Sequence, residues 1–208
     1  ASDVYKRQEE LPYQLYHAEK WDELHECIST LGYMSRQFST NNIHEFILYW
    51  RTLKQADASK YKISQAYIEQ IMGSMAEKAE MAVMLQWAYW QMFRNDVIRL
   101  TNICISYLDD LDAAYELVEF LIRMCDQMAD GDTSEERCSF HNLAGMICIR
   151  KKEYIQALKE YREGLSLAVH AYGEDDLKIT SYLCNIADVY HSIGESQNPV
   201  DKLSLIHI

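Results

Sequence analysis

Apolar residues recur at intervals of three and four along nearly the whole chain, and no stretch alternates at period two. That pattern predicts helices from end to end, an all-α fold. In residues 11–32, Leu11, Leu15 and Ala18 share one face, Trp21, Leu24 and Ile28 continue the spacing, and Gly32 is placed to end the helix as its C-cap. Asn41 and Asn42 offer caps for a helix over about 43–54, with Phe46, Ile47 and Trp50 as its inner stripe. Residues 59–92 read as one long helix, or as two broken near Met72-Gly73-Ser74. The later part carries Met81, Met84, Trp87, Ala88, Tyr89, Trp90 and Met92. A helix apolar nearly all round is expected to be buried by neighbours on both sides, which favours core over a methionine-rich binding groove.

Beyond about residue 94 the pattern becomes regular, with helix pairs separated by short acidic turns: Asp109-Asp110, Asp130-Gly131-Asp132 and Glu174-Asp175-Asp176. No turn fits the D-x-[DN]-x-[DN]-G calcium loop, and each falls where a helix must start. The acids are therefore read as helix caps that also suit the helix dipole. Thr133-Ser134-Glu135-Glu136 has the spacing of a capping box.

The same region repeats itself. Gly145 and Ala187 hold equivalent small-residue slots 42 residues apart, and AGMICIRKKEY aligns around them with IADVYHSIGES. Gly145 is followed by Tyr154, Ala157, Tyr161 and Gly164. A weaker upstream copy, LDDLDAAYELVEFLIRM, puts Leu111, Ala114 and Val118 in matching places. Small residues at such slots let paired helices approach, and the tyrosines fill the gap beside them.

The segment YIQALKEYREGLSLAVHAYGEDDLKITSYLCNIADVY resembles the 42-residue tetratricopeptide repeat of kinesin light chains and nephrocystin-type proteins. It carries the Tyr172-Gly173-Glu174-Asp175 turn and the Asn185-Ile186-Ala187 helix start. It departs from the family at Asp175-Asp176-Leu177, where Asp-His-Pro is usual, and at Cys148, where a tyrosine is usual. The resemblance implies a right-handed α-solenoid of helix hairpins, with repeats at about 94–129 and 135–172 and a partial one at 177–195. Upstream, Leu11, Pro12, Tyr13, Leu15, Trp21, Leu24, Phe46, Tyr49 and Trp50 resemble the helical segment that follows the nucleotide-binding module of STAND-type NTPases. Residues 9–92 then form a helical adaptor block and 93–195 the repeats. What this implies is a non-catalytic protein-binding scaffold, the regulatory or sensor arm of a larger NTPase whose phosphate loop lies upstream. The other readings are a kinesin-light-chain type cargo adaptor and an accessory domain of an enzyme whose catalytic part lies elsewhere. The resemblance further implies a cytoplasmic protein with cilium or cytoskeleton association.

Composition narrows the chemistry. Thirty-two acidic against 20 basic residues give a net charge of −12. That is the reverse of the basic footprint a nucleic-acid binder needs. The longest nearly apolar run, 81–93, is shorter than the roughly 20 residues of a membrane span. Six cysteines without a C-x-x-C pair, mostly in apolar helical stretches, read as small buried hydrophobes of a reduced, intracellular protein. The chain has no P-loop, no G-x-G-x-x-G, no H-E-x-x-H and no G-x-S-x-G. Neither enzymatic activity nor a cofactor or metal is expected. Residues 2–8 and 203–208 resemble translated sequencing-adapter sequence, so 1–8 and 203–208 are expected to be non-native.

There remains the surface that solenoids use, the concave face lined by the first helix of each hairpin. In the 42-residue register the inward-pointing positions that line it are Ser139, Asn142, Leu143, Met146 and Arg150, then Ser181, Cys184, Asn185, Asp188 and His191. Asparagines there hydrogen-bond an extended peptide and the flanking charges select its side chains. Alternatively these residues do no more than solvate an exposed helix face. Asn142 and Asn185 sit one slot apart in the register rather than at equivalent positions.

Overall fold

A computed structural model describes residues 2–40, 42–76, 83–127, 133–174 and 176–195, by backbone alone at 2–9, 83–87 and 89. The described residues are all-α, with adjacent helices packed on one another and no strand. The helices are α1 (Ser2–His17), α2 (Trp21–Ile28), α3 (Leu31–Thr40), α4 (Ile43–Asp57), α5 (Ile63–Ala76) and α6 (Val83–Ile103). A π-helical turn, Cys104–Leu108, extends α6; α7 (Leu111–Gln127), α8 (Ser134–Lys151), α9 (Tyr154–Tyr172) and α10 (Leu177–Glu195) follow. The chain divides into two compact units at Ala113/Ala114.

The first unit is built on an aromatic core. Leu24, Ile28, Met34, Phe46, Trp50, Leu53, Tyr67 and Ile71 are essentially inaccessible, and the predicted stripe of α4, Phe46, Ile47 and Trp50, is buried. Phe46 stacks on Tyr67 with ring centres 6.2 Å apart, and Trp50 tilts against the same ring at 5.8 Å. The Tyr67 hydroxyl donates to the Ile28 carbonyl at 2.6 Å, satisfying an acceptor that the end of α2 leaves open. At the end of the π-helical turn, Asp109 takes a left-handed φ of 47°. Asp110 then caps α7, its Oδ1 accepting the Ala113 N–H at 3.1 Å. Arg51 donates to the Tyr107 carbonyl at 2.8 Å and Lys54 pairs with Asp110 at 3.0 Å, which ties α4 to the turn at 107–110.

Several boundaries differ from the sequence reading. The first block is three helices, because Glu19 turns the chain with a φ of 55° and Thr30 opens α3 by accepting the Tyr33 N–H at 3.2 Å. Gly32 thus lies in the first turn of α3 instead of capping the helix before it. Of the face predicted in α1, Leu15 is buried while Leu11 and Ala18 are exposed. Helix α5 runs unbroken through Met72-Gly73-Ser74, since one glycine lowers helix stability by only about 1 kcal/mol. Trp90 is core but Met92 is 57% exposed, so α6 is not covered on all sides. Met81 and the side chains of Met84, Trp87 and Tyr89 lie outside the described residues, as do Asp130-Gly131-Asp132 and Asp175. The capping box at 133–136 does not form. The Thr133 hydroxyl donates instead to the Cys125 carbonyl at the end of α7, at 3.5 Å, and the Cys125 thiol faces the Glu136 carboxylate. Asp176 does serve its helix, accepting the Lys178 N–H at 2.8 Å.

In the second unit α8 and α9 pack along their lengths and α10 packs on α9. Glycines set the closest approaches. A Cβ on Gly145 would fall 2.6 Å from the Tyr161 ring, and one on Gly164 would fall 2.7 Å from the Tyr182 ring. Tyr182 of α10 crosses Gly164 of α9 and donates to the Cys138 carbonyl of α8 at 2.6 Å. One side chain therefore fixes three helices. The α8–α9 turn uses Lys152 at a left-handed φ of 62°, with the Glu153 N–H bonding back to the Cys148 carbonyl.

Candidate functional site

The face predicted to bind a partner spans α8 and α10. Ser139, Met146 and Arg150 on α8 are exposed, as are Ser181, Cys184, Asp188 and His191 on α10. Asn142, Leu143 and Asn185 are half-buried. The asparagines meet directly: Asn185 Nδ2 donates to Asn142 Oδ1 at 2.8 Å. Orienting each other, they leave the Asn142 amino group to donate to a ligand and the Asn185 carbonyl to accept from one. The Asn142 amino group has only the Met146 sulfur, 4.0 Å away, as a weak acceptor.

The other predicted residues differ in what they have free. The Ser139 hydroxyl is spent on the Glu135 carbonyl of its own helix at 2.9 Å. His191 lies 3.5 Å from Glu195, an exposed pair that contributes little. Met146, half exposed, is an apolar contact beside the amides. The structure thus brings Asn142 and Asn185 together and leaves the rest as a flanking surface.

Beneath this face lies a polar cluster that the sequence reading passed over. Glu160, on the buried stripe of α9 with Ala157, Tyr161 and Gly164, is 7% exposed. His141 Nδ1 of α8 lies 2.9 Å from its Oε2. The Tyr115 hydroxyl of α7 donates to its Oε1 at 2.8 Å, and Gln156 Nε2 donates to the same oxygen at 2.6 Å. Burial alone would raise the carboxyl pKa. The hydrogen bonds from His141, Tyr115 and Gln156 outweigh it and hold Glu160 below the ordinary carboxylate value. Because an ionised carboxylate only accepts, the facing His141 nitrogen is the one that carries a proton. Burial pushes the Tyr115 hydroxyl up, as does its bond to Glu160. A carboxylate at a stripe position was the available signal: an acid there is costly unless donors meet it. Burial also pushes the neighbouring Cys148 thiol up, to about 12, which makes it a packing group and not a nucleophile.

Among the described residues no group of three or more His, Cys, Asp or Glu side chains is placed to hold a metal ion. None of the described helices is long and apolar enough to cross a membrane. No protein-family model, curated protein or solved structure matches the chain.

Proposed function

We propose that the second unit is a tetratricopeptide-like segment of a right-handed α-solenoid. It binds an extended partner peptide, or a helix of a partner protein, on the α8–α10 face without catalysing a reaction. The observation that carries this is the Asn142–Asn185 hydrogen bond of 2.8 Å. A peptide unit offers one N–H and one C=O, and the paired carboxamides offer their complements at a fixed spacing. Met146 gives an apolar contact, while Arg150, Asp188 and His191 supply charge and hydrogen bonds for side-chain selection. The resemblances of the two halves support placing this surface in the regulatory arm of a STAND-type NTPase, where partner binding would report to a nucleotide module upstream.

The test is a peptide selected on the protein from a displayed library, its affinity then measured by fluorescence anisotropy. Asn142→Ala/Asn185→Ala is expected to weaken it at least about tenfold, at roughly 1 kcal/mol for each hydrogen bond lost. Unchanged affinity in a variant with an unchanged circular dichroism spectrum would sink the reading. Parentage is a separate matter: recovery of the upstream transcript without a phosphate loop removes the NTPase.

A further inference from the structure

A second surface of the second unit shares no residue with the α8–α10 face. Tyr115 and Glu119, one turn apart on α7, and residues 153–156 at the start of α9 line an open groove of about 570 Å³. Sites for small ligands run from about 300 to 1,000 Å³. The left-handed turn at Lys152 sets the direction in which the chain enters α9, and so places Glu153, Tyr154, Ile155 and Gln156 along this groove.

We propose that this groove takes an arginine or lysine side chain, with its aliphatic stem, from a basic segment of a partner protein. Two carboxylates line it, Glu119 and Glu153, and no cationic side chain does. Glu119 is exposed and makes no ion pair among the described residues. Glu153 shows what the site accepts. The chain's own Lys151 ammonium lies 2.9 Å from Glu153 and 5.5 Å over the centre of the Tyr115 ring. An aromatic face beside a carboxylate is the setting that holds a side-chain cation. Ile155, 42% exposed, and half-buried Tyr154 offer an apolar wall for the methylenes of such a side chain.

The first-turn amides of α9 pull the other way, because a helix N-terminus favours an anion. It carries only about half a unit of positive charge, against the whole carboxylate of Glu119 and that of Glu153, which Lys151 shares. The carboxylates therefore set the sign of the ligand, and the amides are left to meet backbone carbonyls of the same segment.

The probe is acetyl-Leu-Arg-amide, titrated into the 208-residue protein and followed by the backbone amide resonances of Tyr154, Ile155 and Gln156. Saturable shifts are expected, at least about threefold weaker for the isosteric, uncharged acetyl-Leu-citrulline-amide. Glu119→Gln is expected to weaken the arginine probe by about three- to fivefold, the scale of one exposed ion pair. Lys151→Met, by vacating the ring face, is expected to strengthen it. Equal shifts with arginine and citrulline overturn the proposal. So do tighter binding of acetyl-Leu-Glu-amide at the same amides, an unaltered response in Glu119→Gln, or no saturable shift at all. None of these readouts involves Asn142 or Asn185, so failure here leaves the α8–α10 face untouched.

Discussion

Glu160 is the residue on which local chemistry bears most heavily. Its carboxylate is buried on α9 yet accepts hydrogen bonds from α7, from its own helix and from the His141 side of α8. Charge-assisted hydrogen bonds contribute about 1.5–3 kcal/mol in such settings. Glu160→Gln keeps the shape and removes the charge, and is expected to lower stability by about 1–3 kcal/mol near neutral pH. The sign of the pH dependence follows from the folded carboxyl titrating below its ordinary value of 4.5. Its stabilisation is complete above the unfolded pKa and is lost as pH falls through the lower folded value. Urea titrations should therefore show the gap between wild type and Glu160→Gln narrowing as the pH falls below the ordinary carboxyl value of 4.5. A gap that widened on acidification would contradict the assignment.

At the scale of helices, packing and propensity can be set against each other. Replacing glycine by alanine in a helix interior gains up to about 1 kcal/mol from propensity. Gly73 in α5 has nothing within 4 Å of where a Cβ would stand, so Gly73→Ala should raise the melting temperature. Gly145 has three atoms of the buried Tyr161 ring within 2.8 Å of that point. Overpacking of this kind costs about 1–3 kcal/mol, so Gly145→Ala should lower the melting temperature despite the same gain in propensity. Calorimetry of the two variants reads the difference directly. Equal shifts would mean that α8 and α9 do not approach as closely as described.

For the whole molecule, the six cysteines report on opening. None is disulfide-bonded; Cys104, Cys125, Cys138 and Cys148 are buried, Cys27 is half-buried and Cys184 is exposed. Burial raises the Cys104, Cys148 and Cys27 thiols, further reducing the reactive thiolate. Iodoacetamide near pH 8 should thus label Cys184 first, as a single adduct by mass spectrometry, then Cys27 more slowly, with the four buried thiols following only as the units open. Rapid labelling of Cys104 or Cys148 in the native protein would count against the cores described.

Helical class, the stripe of α4 and the capping roles of Asp110 and Asp176 were legible in the sequence, because each rests on local spacing or on a group within a few residues. Break points were less so. Gly32 and Gly73 look like stops, but a glycine ends a helix only where the backbone needs its freedom, and Glu19, Asp109 and Lys152 take the left-handed turns instead. Thr133 has the pattern of a cap, yet the nearby end of α7 competes for its hydroxyl. The candidate face could be drawn from a helical period. That its two asparagines join each other, and that Glu160 is met from three helices, depends on how far α8, α9 and α10 stand apart. The glycines at 145 and 164 and the tyrosines across them set that separation. The sequence by itself determined that the chain is helical and which stripe α4 buries, since hydrophobic spacing is a local property; the exposed Leu11 and Met92 show that spacing alone does not say which neighbour covers a face. Only tertiary structure decided which polar groups meet, because hydrogen bonds between helices require donors and acceptors brought within about 3 Å.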